Sequence, residues 1–245
     1  MGRSIRIFKS VDDLSQFFAQ ILVKGIDETH EDRYFSLALS GGSTPRSIFQ
    51  YLAVNFRETI TWKRVLVFWS DERCVPPDSP ESNFRMTREN LLDHIPIPSD
   101  NIIRIKGEAD PMDEALHYTE TVRQFLPSFN GIPRFDLMML GVGIDGHTAS
   151  IFPDNLSLFK SEKLFEVVEH PQTRQQRITA TGNLINNSSR IVFLATGDTK
   201  SKIVKMILEH KSGSEKFPAS LVYPVKGELL WLLDDKAARS IIKNP

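Results

Sequence analysis

A histidine and an aspartate lie two residues apart in the segment GVGIDGHTAS, which spans residues 141–150. Histidine has the side chain whose unperturbed pKa lies nearest to neutral pH, and a neighbouring carboxylate can orient an imidazole as a base. The glycines of this segment favour a tight turn on a flexible backbone. The spacing therefore predicts a catalytic pair in which His147 is the base and Asp145 holds its imidazole or supports the cation that forms.

The same segment contains the pattern G-x-G-x-x-G, which raises the possibility of a dinucleotide site. We reject that site because Asp145 lies inside the turn, where a pyrophosphate would bring more negative charge. In addition, Pro153 would end the required helix after only a few residues. A metal site is not expected either, since the segment lacks several His or carboxylate ligands at regular spacing. We therefore predict neither a metal nor a cofactor.

The segment SGGSTP at residues 40–45 combines glycines with hydroxyl groups at the predicted start of a helix. Its glycines let the backbone approach a ligand closely, and the free N–H groups of a helix N-terminus bind phosphate well. We expect Thr44 to be the N-cap and Pro45 the first helical residue. An ordinary glycine-rich turn that merely begins a helix is the alternative interpretation.

In the segment DERCVPP at residues 71–77, two carboxylates stand next to Arg73. A guanidinium donates a planar set of N–H groups, which suits a phosphate or a polyol. The alternative is a charged loop in contact with solvent. We interpret Cys74 as a small buried thiol rather than a nucleophile, because no partner base can be identified. Structural or exposed positions are expected for the remaining histidines, which are His30, His94, His117, His170 and His210.

Short β-branched or aromatic runs alternate with longer segments of helical spacing, which is typical of a doubly wound, Rossmann-like α/β fold: a mostly parallel sheet with helices on both faces. The predicted strands are 4–8, 34–39, 65–69, 102–105, 135–140, 164–169, 190–195 and 228–233. The predicted helices are 11–28, 45–56, 83–92, 111–125, 199–209 and 234–242. Ligands of such sheets bind at the carboxyl ends of the strands, which is where the three segments above are found.

The chain has 245 residues with 30 basic and 31 acidic side chains, and no linker composition divides it, so we predict one domain over residues 1–245. This charge balance argues against binding to nucleic acid or an anionic membrane. A single cysteine excludes an intrachain disulfide. The N-terminus lacks an apolar segment of signal-peptide length, and no stretch approaches the ~20 apolar residues of a membrane span. We expect a cytoplasmic protein that is a monomer or a weak homo-oligomer.

Taken in order, SGGSTP, DERCVP with SPESNF, and GVGIDGHTASIFP resemble the motifs of the 6-phosphogluconolactonase family. The resemblance continues through Arg177 in QQRITATGNLIN and Lys200 in ATGDTKSKIV, and so covers nearly the whole chain. It implies hydrolysis of 6-phospho-D-glucono-1,5-lactone to 6-phospho-D-gluconate in the oxidative pentose phosphate pathway. The implied fold is the one shared with glucosamine-6-phosphate deaminases, and the implied partner is a small phosphosugar lactone.

The resemblance also implies roles for individual residues. His147 would activate water without a covalent intermediate, and Asp145 would support it. The implied phosphate-binding residues are Gly42, Ser43, Thr44, Arg73, Arg177 and Lys200.

Two alternatives remain. A deaminase of the aldose-ketose isomerase type has a similar histidine motif, but its glutamate falls where this chain has Phe152, which favours the lactonase. A non-catalytic phosphosugar-binding regulator would keep the phosphate site without the base, whereas both Asp145 and His147 are present here.

Overall fold

A computed structural model describes residues 3–210 and 212–241 of the chain. The β-strands are β1 (Arg3–Phe8), β2 (Phe35–Leu39), β3 (Val65–Trp69), β4 (Asp71–Arg73), β5 (Ser128–Phe129), β6 (Ile132–Pro133), β7 (Leu137–Gly141), β8 (Phe165–Glu169), β9 (Gln176–Ala180), β10 (Arg190–Ala195) and β11 (Glu228–Asp234). The α-helices are α1 (Val11–Asp27), α2 (Ser43–Asn55), α3 (Asn83–Asn90), α4 (Pro111–Phe125), α5 (Gly182–Asn187), α6 (Ser201–Leu208) and α7 (Asp235–Ala238).

Six parallel strands form the central sheet, in the order β1-β11-β10-β7-β2-β3. Every residue of β2 and β3 is buried. Because neighbouring residues of a strand point to opposite faces, this burial means that both faces of the sheet are covered. The prediction of an α/β fold with a mostly parallel sheet flanked by helices is confirmed.

The chain leaves the middle of the sheet in two directions. It passes from β2 to β3 on one side, and later returns to form β7 on the other side of β2 before continuing to β10. Neighbouring strands whose connections diverge in this way open a crevice at their carboxyl ends, where ligands of such sheets bind. The segments 40–45 and 141–150 follow β2 and β7, so both of them border this crevice.

A smaller antiparallel sheet, β4-β9-β8, continues from the end of the central sheet. Ser70 joins the two sheets, since its N–H donates to the Leu39 carbonyl at 2.8 Å and its carbonyl accepts from Ala180 N–H at 2.7 Å. The expectation that residues 71–77 form a loop is therefore wrong at their start, which is β4. The predicted strand 164–169 is observed as β8, but in this second sheet. The sequence analysis missed β9, whose first residues are polar.

The predicted strand at 102–105 is wrong. Ile102 forms an isolated bridge with Val67, and Ile103 N–H donates to the Val67 carbonyl at 2.8 Å, but no ladder follows. Beyond this point the chain turns away from β3 and packs against β4. Gly107 lies so close to that segment that a Cβ built on it would be 2.3 Å from the Arg73 carbonyl oxygen.

Helix boundaries follow the capping chemistry of the sequence. Asp110 accepts hydrogen bonds from the N–H groups of Met112 and Asp113 at 3.0 and 3.1 Å, and α4 matches the predicted 111–125. The predicted helix 199–209 is divided into a 3-10 turn (Asp198–Lys200) and α6. The predicted helix 234–242 is observed as the shorter α7, and residue 242 lies outside the described residues.

Asp136 fixes the amino end of β7, at the opposite end of the sheet from the crevice. Its carboxylate accepts from both Nη atoms of Arg33 at 2.8 Å, from Ser36 N–H at 2.9 Å and from Ser36 Oγ at 2.8 Å. The side chain is 14% exposed. We predict that Asp136→Asn lowers the free energy of unfolding by about 1.5–3 kcal/mol, because charge-assisted hydrogen bonds of a buried group are lost.

Denaturant unfolding of both proteins measures this change. The exposed Asp27 provides a control, since Asp27→Asn should stay within about 0.5 kcal/mol of the parent protein. An Asp136→Asn variant as stable as Asp27→Asn would contradict the structural role of this carboxylate.

Candidate active site

One cavity, of about 200 Å³, lies in the crevice between the ends of β2 and β7. Seven of the eight residues that the sequence analysis selected line it, namely Gly42, Ser43, Thr44, Arg73, His147, Arg177 and Lys200. Asp145, the eighth, does not line the cavity but contacts the ring of His147, which does. Segments far apart in the sequence thus meet at one place.

The imidazole of His147 is held by Asp145. His147 Nδ1 lies 2.6 Å from Asp145 Oδ1, and the His147 N–H donates to the same oxygen at 3.2 Å. With the proton on Nδ1 facing the carboxylate, the lone pair of the neutral ring is on Nε2. Nε2 forms no hydrogen bond with any of the described residues. The ring is therefore oriented as a base.

The glycine between β7 and the aspartate is required by this close contact. A Cβ on Gly143 would be 2.2 Å from His147 Nδ1 and 2.3 Å from Asp145 Oδ1. Gly143 N–H also donates to the His147 carbonyl at 2.8 Å, which closes the turn. Next to the histidine, Gly146 has a φ of +84°, in the left-handed region that glycine adopts without strain. These contacts explain the spacing of the G-x-D-G-H segment.

Asp145 remains a carboxylate at any ordinary pH. Partial burial opposes its charge, but the hydrogen bonds from His147 and the charge of that ring outweigh burial and lower the pKa of Asp145 to about 2. The group is consequently a permanent acceptor for Nδ1–H and a permanent negative charge beside the imidazole.

The first glycine-rich segment starts α2 two residues earlier than predicted. Gly42, with a φ of +114°, is the N-cap, and the helix begins at Ser43. The prediction that Thr44 caps this helix is wrong, because its Oγ1 instead pairs with Thr196 Oγ1 at 2.7 Å. Pro45 is the third helical residue rather than the first, which is tolerated because N–H groups in the first turn have no helical acceptor.

Asn83 closes the cavity above Gly41, and the sequence analysis assigned it no role. A Cβ on Gly41 would be 1.9 Å from Asn83 Oδ1, so only glycine fits there. Asn83 Nδ2 donates to the Asp71 carbonyl at 2.9 Å, and the side chain lines the cavity. Its position in SPESNF, at the start of a predicted helix after the charged segment, was the available signal.

Two arginines face the cavity side by side. Arg73 of β4 is the register partner of Arg177 of β9, and directly opposite residues of an antiparallel pair point to the same face. Within the described residues, both Nε atoms are buried without a hydrogen-bond partner. Burial, and after it the charge of Arg73, lowers the pKa of Arg177. Buried donors without acceptors on adjacent like charges indicate a site for an anion.

The acidic residues next to Arg73 are buried, so the interpretation of this segment as a solvated loop is wrong. Glu72 accepts from the N–H groups of Asn83 and Phe84, both at 2.7 Å, and from Arg73 N–H at 2.8 Å. Burial nevertheless outweighs these bonds and raises the pKa of Glu72. Glu72 thereby ties the start of α3 to the backbone of Arg73.

Asp71 and Ser150 connect the arginines to the histidine segment, and sequence reasoning gave neither of them a role. Ser150 Oγ donates to Asp71 Oδ2 at 2.7 Å and lies 3.5 Å from Arg177 Nη1. Ser150 N–H donates to Thr179 Oγ1 at 3.1 Å. Because these contacts join residues distant in sequence, no local pattern shows them.

Lys200 lies in the turn after β10 and is the third cationic side chain at the cavity. Arg73, Arg177 and Lys200 are here called the cationic wall. The side chain of Lys200 is half-buried and lines the cavity. Burial lowers the pKa of Lys200, although the charge of Asp145 opposes this. Its Nζ forms no hydrogen bond or ion pair with any residue that the structure describes.

The other five histidines and Cys74 differ in their exposure to solvent. The predicted exposure holds for His30, His94, His117 and His210. His170 is half-buried near the site: its ring lies 5.0 Å from that of Phe152, which is itself 5.0 Å from the ring of His147. Cys74 is half-buried, and burial raises its pKa to about 11, which fits the prediction of an unreactive thiol.

Two features are absent from residues 3–210 and 212–241. No helix there has both the length and the apolar character needed to cross a membrane. No group of three or more His, Cys, Asp or Glu side chains there converges into a set of metal ligands.

Known proteins share sequence and fold with this chain. Residues 9–231 match the family described as glucosamine-6-phosphate isomerases/6-phosphogluconolactonase. The chain is 45% identical to a 6-phosphogluconolactonase of Treponema pallidum over 70% of this chain and 71% of the relative. It is 41% identical to one of Haemophilus influenzae, over 83% and 86% of the two chains. The crystal structure of 6-phosphogluconolactonase from Leishmania guyanensis superposes with a TM-score of 0.88 at 26% identity, covering 98% and 99%.

The pKa of Asp145 gives a direct test of the pair. We predict that the NMR chemical shift of the Asp145 carboxyl carbon keeps the value of the ionised carboxylate down to about pH 3 in the parent protein. In His147→Ala the midpoint should rise from about 2 toward the ordinary value of 3.8, because the hydrogen bonds and charge of the ring are lost. A lowered pKa in the folded state means that the pair stabilises the fold above pH 3.8 and loses this effect as the pH falls to about 2. A parent midpoint at 3.8 or above would contradict the contact.

Proposed function

Because this chain belongs to the family of glucosamine-6-phosphate isomerases and 6-phosphogluconolactonases, we propose that it hydrolyses 6-phospho-D-glucono-1,5-lactone to 6-phospho-D-gluconate, a step of the oxidative pentose phosphate pathway. One observation carries the proposal. The imidazole of His147, oriented by Asp145, lines the same cavity as three cationic side chains. A base next to an anion site is what hydrolysis of a phosphorylated lactone requires.

The chemical step needs only water and one base. As the water oxygen bonds to C1 of the lactone, His147 Nε2 accepts its proton. The bond between C1 and the ring oxygen then breaks, and the imidazolium returns the proton to that oxygen. One water is consumed and the histidine ends neutral. Asp145, ionised throughout because of its low pKa, stabilises the intermediate imidazolium.

Negative charge develops on the C1 carbonyl oxygen during the attack. We propose that backbone N–H groups of a glycine-rich turn at the cavity donate to this oxygen. A well-placed donor of this kind contributes about 3 kcal/mol to the stability of the transition state. Because the donors are held by the sheet before substrate binds, they need no rearrangement at the moment of reaction.

No protein nucleophile takes part in this mechanism. Ser150 Oγ is buried and already donates to Asp71, so it is unavailable to attack C1. The thiol of Cys74, with its raised pKa, is almost entirely protonated near neutral pH and does not line the cavity. Direct attack by water without a covalent intermediate is therefore the mechanism that we propose.

The phosphate at C6 lies away from the reacting carbon and serves to orient the sugar. A dianion matches the cationic wall and the N-terminus of α2 in charge and in hydrogen-bond donors. The residues proposed to bind it are Gly42, Ser43, Thr44, Arg73, Arg177 and Lys200.

The ring of Phe152 disfavours the deaminase alternative. It is 1% exposed and lies against His147, at the position where the deaminase relatives carry a glutamate. An ammonia assay with glucosamine 6-phosphate tests this alternative directly. The regulator alternative is disfavoured by the oriented base, and proton release after addition of fresh lactone separates hydrolysis from binding alone.

All eight proposed site residues come from one chain, and buried apolar residues from the whole described length form one cluster. We therefore propose that the chain works as one domain. We also propose a monomer or a weak homo-oligomer.

His147→Ala tests the proposed base. We predict a fall in kcat of about 100-fold or more with the fold intact, because proton transfer to a positioned group is lost. Proton release measures the rate after subtraction of spontaneous lactone hydrolysis, and circular dichroism checks the fold. The exposed His117 gives the control, since His117→Ala should keep the parental rate. Near-normal turnover by His147→Ala would exclude this residue as the base.

Arg73→Ala tests the anion site. We predict that kcat/KM for the 6-phosphorylated lactone falls by about 10–100-fold, because charge-assisted hydrogen bonds to a phosphate are lost. The value for unphosphorylated glucono-1,5-lactone should fall much less. Arg123→Ala, which removes an exposed arginine, should change neither value. Equal losses on both lactones would remove Arg73 from the phosphate site.

A further inference from the structure

The turn that carries Lys200 is held from behind by a buried carboxylate. Residues 197–200, here called the lysine turn, follow β10. The N–H of Gly197 donates to both carboxylate oxygens of Asp234 at 3.0 Å. Asp234 is the last residue of β11 and is only 7% exposed. A buried charge of this kind is retained only when its hydrogen bonds are satisfied.

The same carboxylate also organises the next helix. Asp234 Oδ1 accepts from Ala237 N–H at 2.7 Å, so Asp234 is the N-cap of α7. β10 and β11 are neighbours whose ends are level, with Ala195 opposite Leu233. A single side chain thus ties the end of β11, the start of α7 and the lysine turn together.

Further contacts from the same segment reach past the lysine turn. Ser240 N–H donates to Ser201 Oγ at 2.9 Å, and its carbonyl accepts from Lys205 Nζ at 2.7 Å. Arg239 pairs with Asp198 at 3.0 Å, although both side chains are largely exposed and such pairs contribute little. These contacts bracket Lys200 on both sides without touching it.

The backbone of the lysine turn has a conformation that needs such support. Gly197 has a φ of +91°, and a Cβ built on it would meet no atom within 4 Å. Glycine is therefore required by the backbone angle and not by space. On the opposite side of the turn, Lys200 reaches the cavity with no partner for its Nζ among the described residues. Its place at the wall therefore depends on the backbone that carries it.

We propose that Asp234 is a positioning residue for substrate phosphate: by holding the N–H of Gly197 it fixes the lysine turn, so that Lys200 stands at the cavity wall before the ligand arrives. This inference rests on the proposed function, in which Lys200 binds the phosphate. A group that is ordered in advance loses less conformational freedom when its ligand binds. Asp234 itself does not line the cavity.

Asp234→Asn is the first test. The amide oxygen can still accept from Ala237 N–H and keep the cap of α7, but the amide NH₂ replaces the second acceptor of Gly197 N–H. We expect the ratio of kcat/KM for 6-phosphorylated over unphosphorylated gluconolactone to fall about 10-fold or more, mainly through KM, because the lysine is displaced. Gly197→Ala strains the same turn without changing the carboxylate and should lower the ratio in the same direction.

Two controls separate positioning from stability. Asp136→Asn removes a partly buried carboxylate at the far end of the sheet, so it should lower the melting temperature and leave the ratio unchanged. Asp235→Asn removes the exposed neighbouring charge and should change neither quantity. A merely structural role of Asp234 would lower the melting temperature and reduce activity on both lactones equally, which would overturn the inference.

Lys200→Ala and the double variant separate the positioning role of Asp234 from the phosphate-binding role of Lys200. If Asp234 acts through Lys200, the ratio for Asp234→Asn/Lys200→Ala should equal that for Lys200→Ala alone. A ratio that falls in Lys200→Ala but not in Asp234→Asn and Gly197→Ala would overturn the positioning role and leave the phosphate site standing. A ratio unchanged in Lys200→Ala would overturn both the positioning role of Asp234 and the phosphate-binding role of Lys200.

Discussion

The repulsion between the cationic side chains that line one cavity is the constraint on which this structure depends. Arg73 and Arg177 stand opposite each other on one face of a strand pair, where like charges are destabilising, and their buried Nε atoms lack partners. The fold meets this constraint with carboxylates placed behind the arginines. Asp71 and Glu72 are buried, bound to backbone and hydroxyl groups, and still close enough to offset the positive charge. The phosphate of the proposed substrate would relieve the unfavourable free energy that remains.

Rigidity of the parallel sheet makes this arrangement possible. His147 comes from the turn after β7, the helix N-terminus from the turn after β2, and Lys200 from the turn after β10. These three strands are packed side by side in the central sheet. The turns after β2 and β7 are each fixed by a close contact, such as Gly143 against His147, that leaves no room for a larger residue. The turn after β10 is held by the hydrogen bonds from Gly197 N–H to Asp234. Charge and geometry are thus set by the scaffold before any ligand binds.

Sequence reasoning succeeded where a structure is determined by neighbouring residues. The bounds of α4 follow from Asp110 and Pro111, and the pairing of Asp145 with His147 follows from a spacing of two. It failed where tertiary contacts decide. Thr44 turned to Thr196 instead of capping its helix, and the segment 102–105 ran past the edge of β3 with a single bridge. The contributions of Asp71, Asn83 and Ser150 depend on contacts between separate segments, which local patterns do not encode.

The order of the strands has a consequence for synthesis on the ribosome. In the described part of the chain β1 pairs with β11 alone, although the two stand at opposite ends of the sequence. During translation β1 emerges early and must wait, unpaired, until β11 leaves the exit tunnel. Contacts this distant in sequence form late and slowly. Since Asp234 ends β11, the pairing of β1 and the hydrogen bonds that hold the turn of Lys200 both depend on the same late strand, so a chain terminated before β11 would lack both.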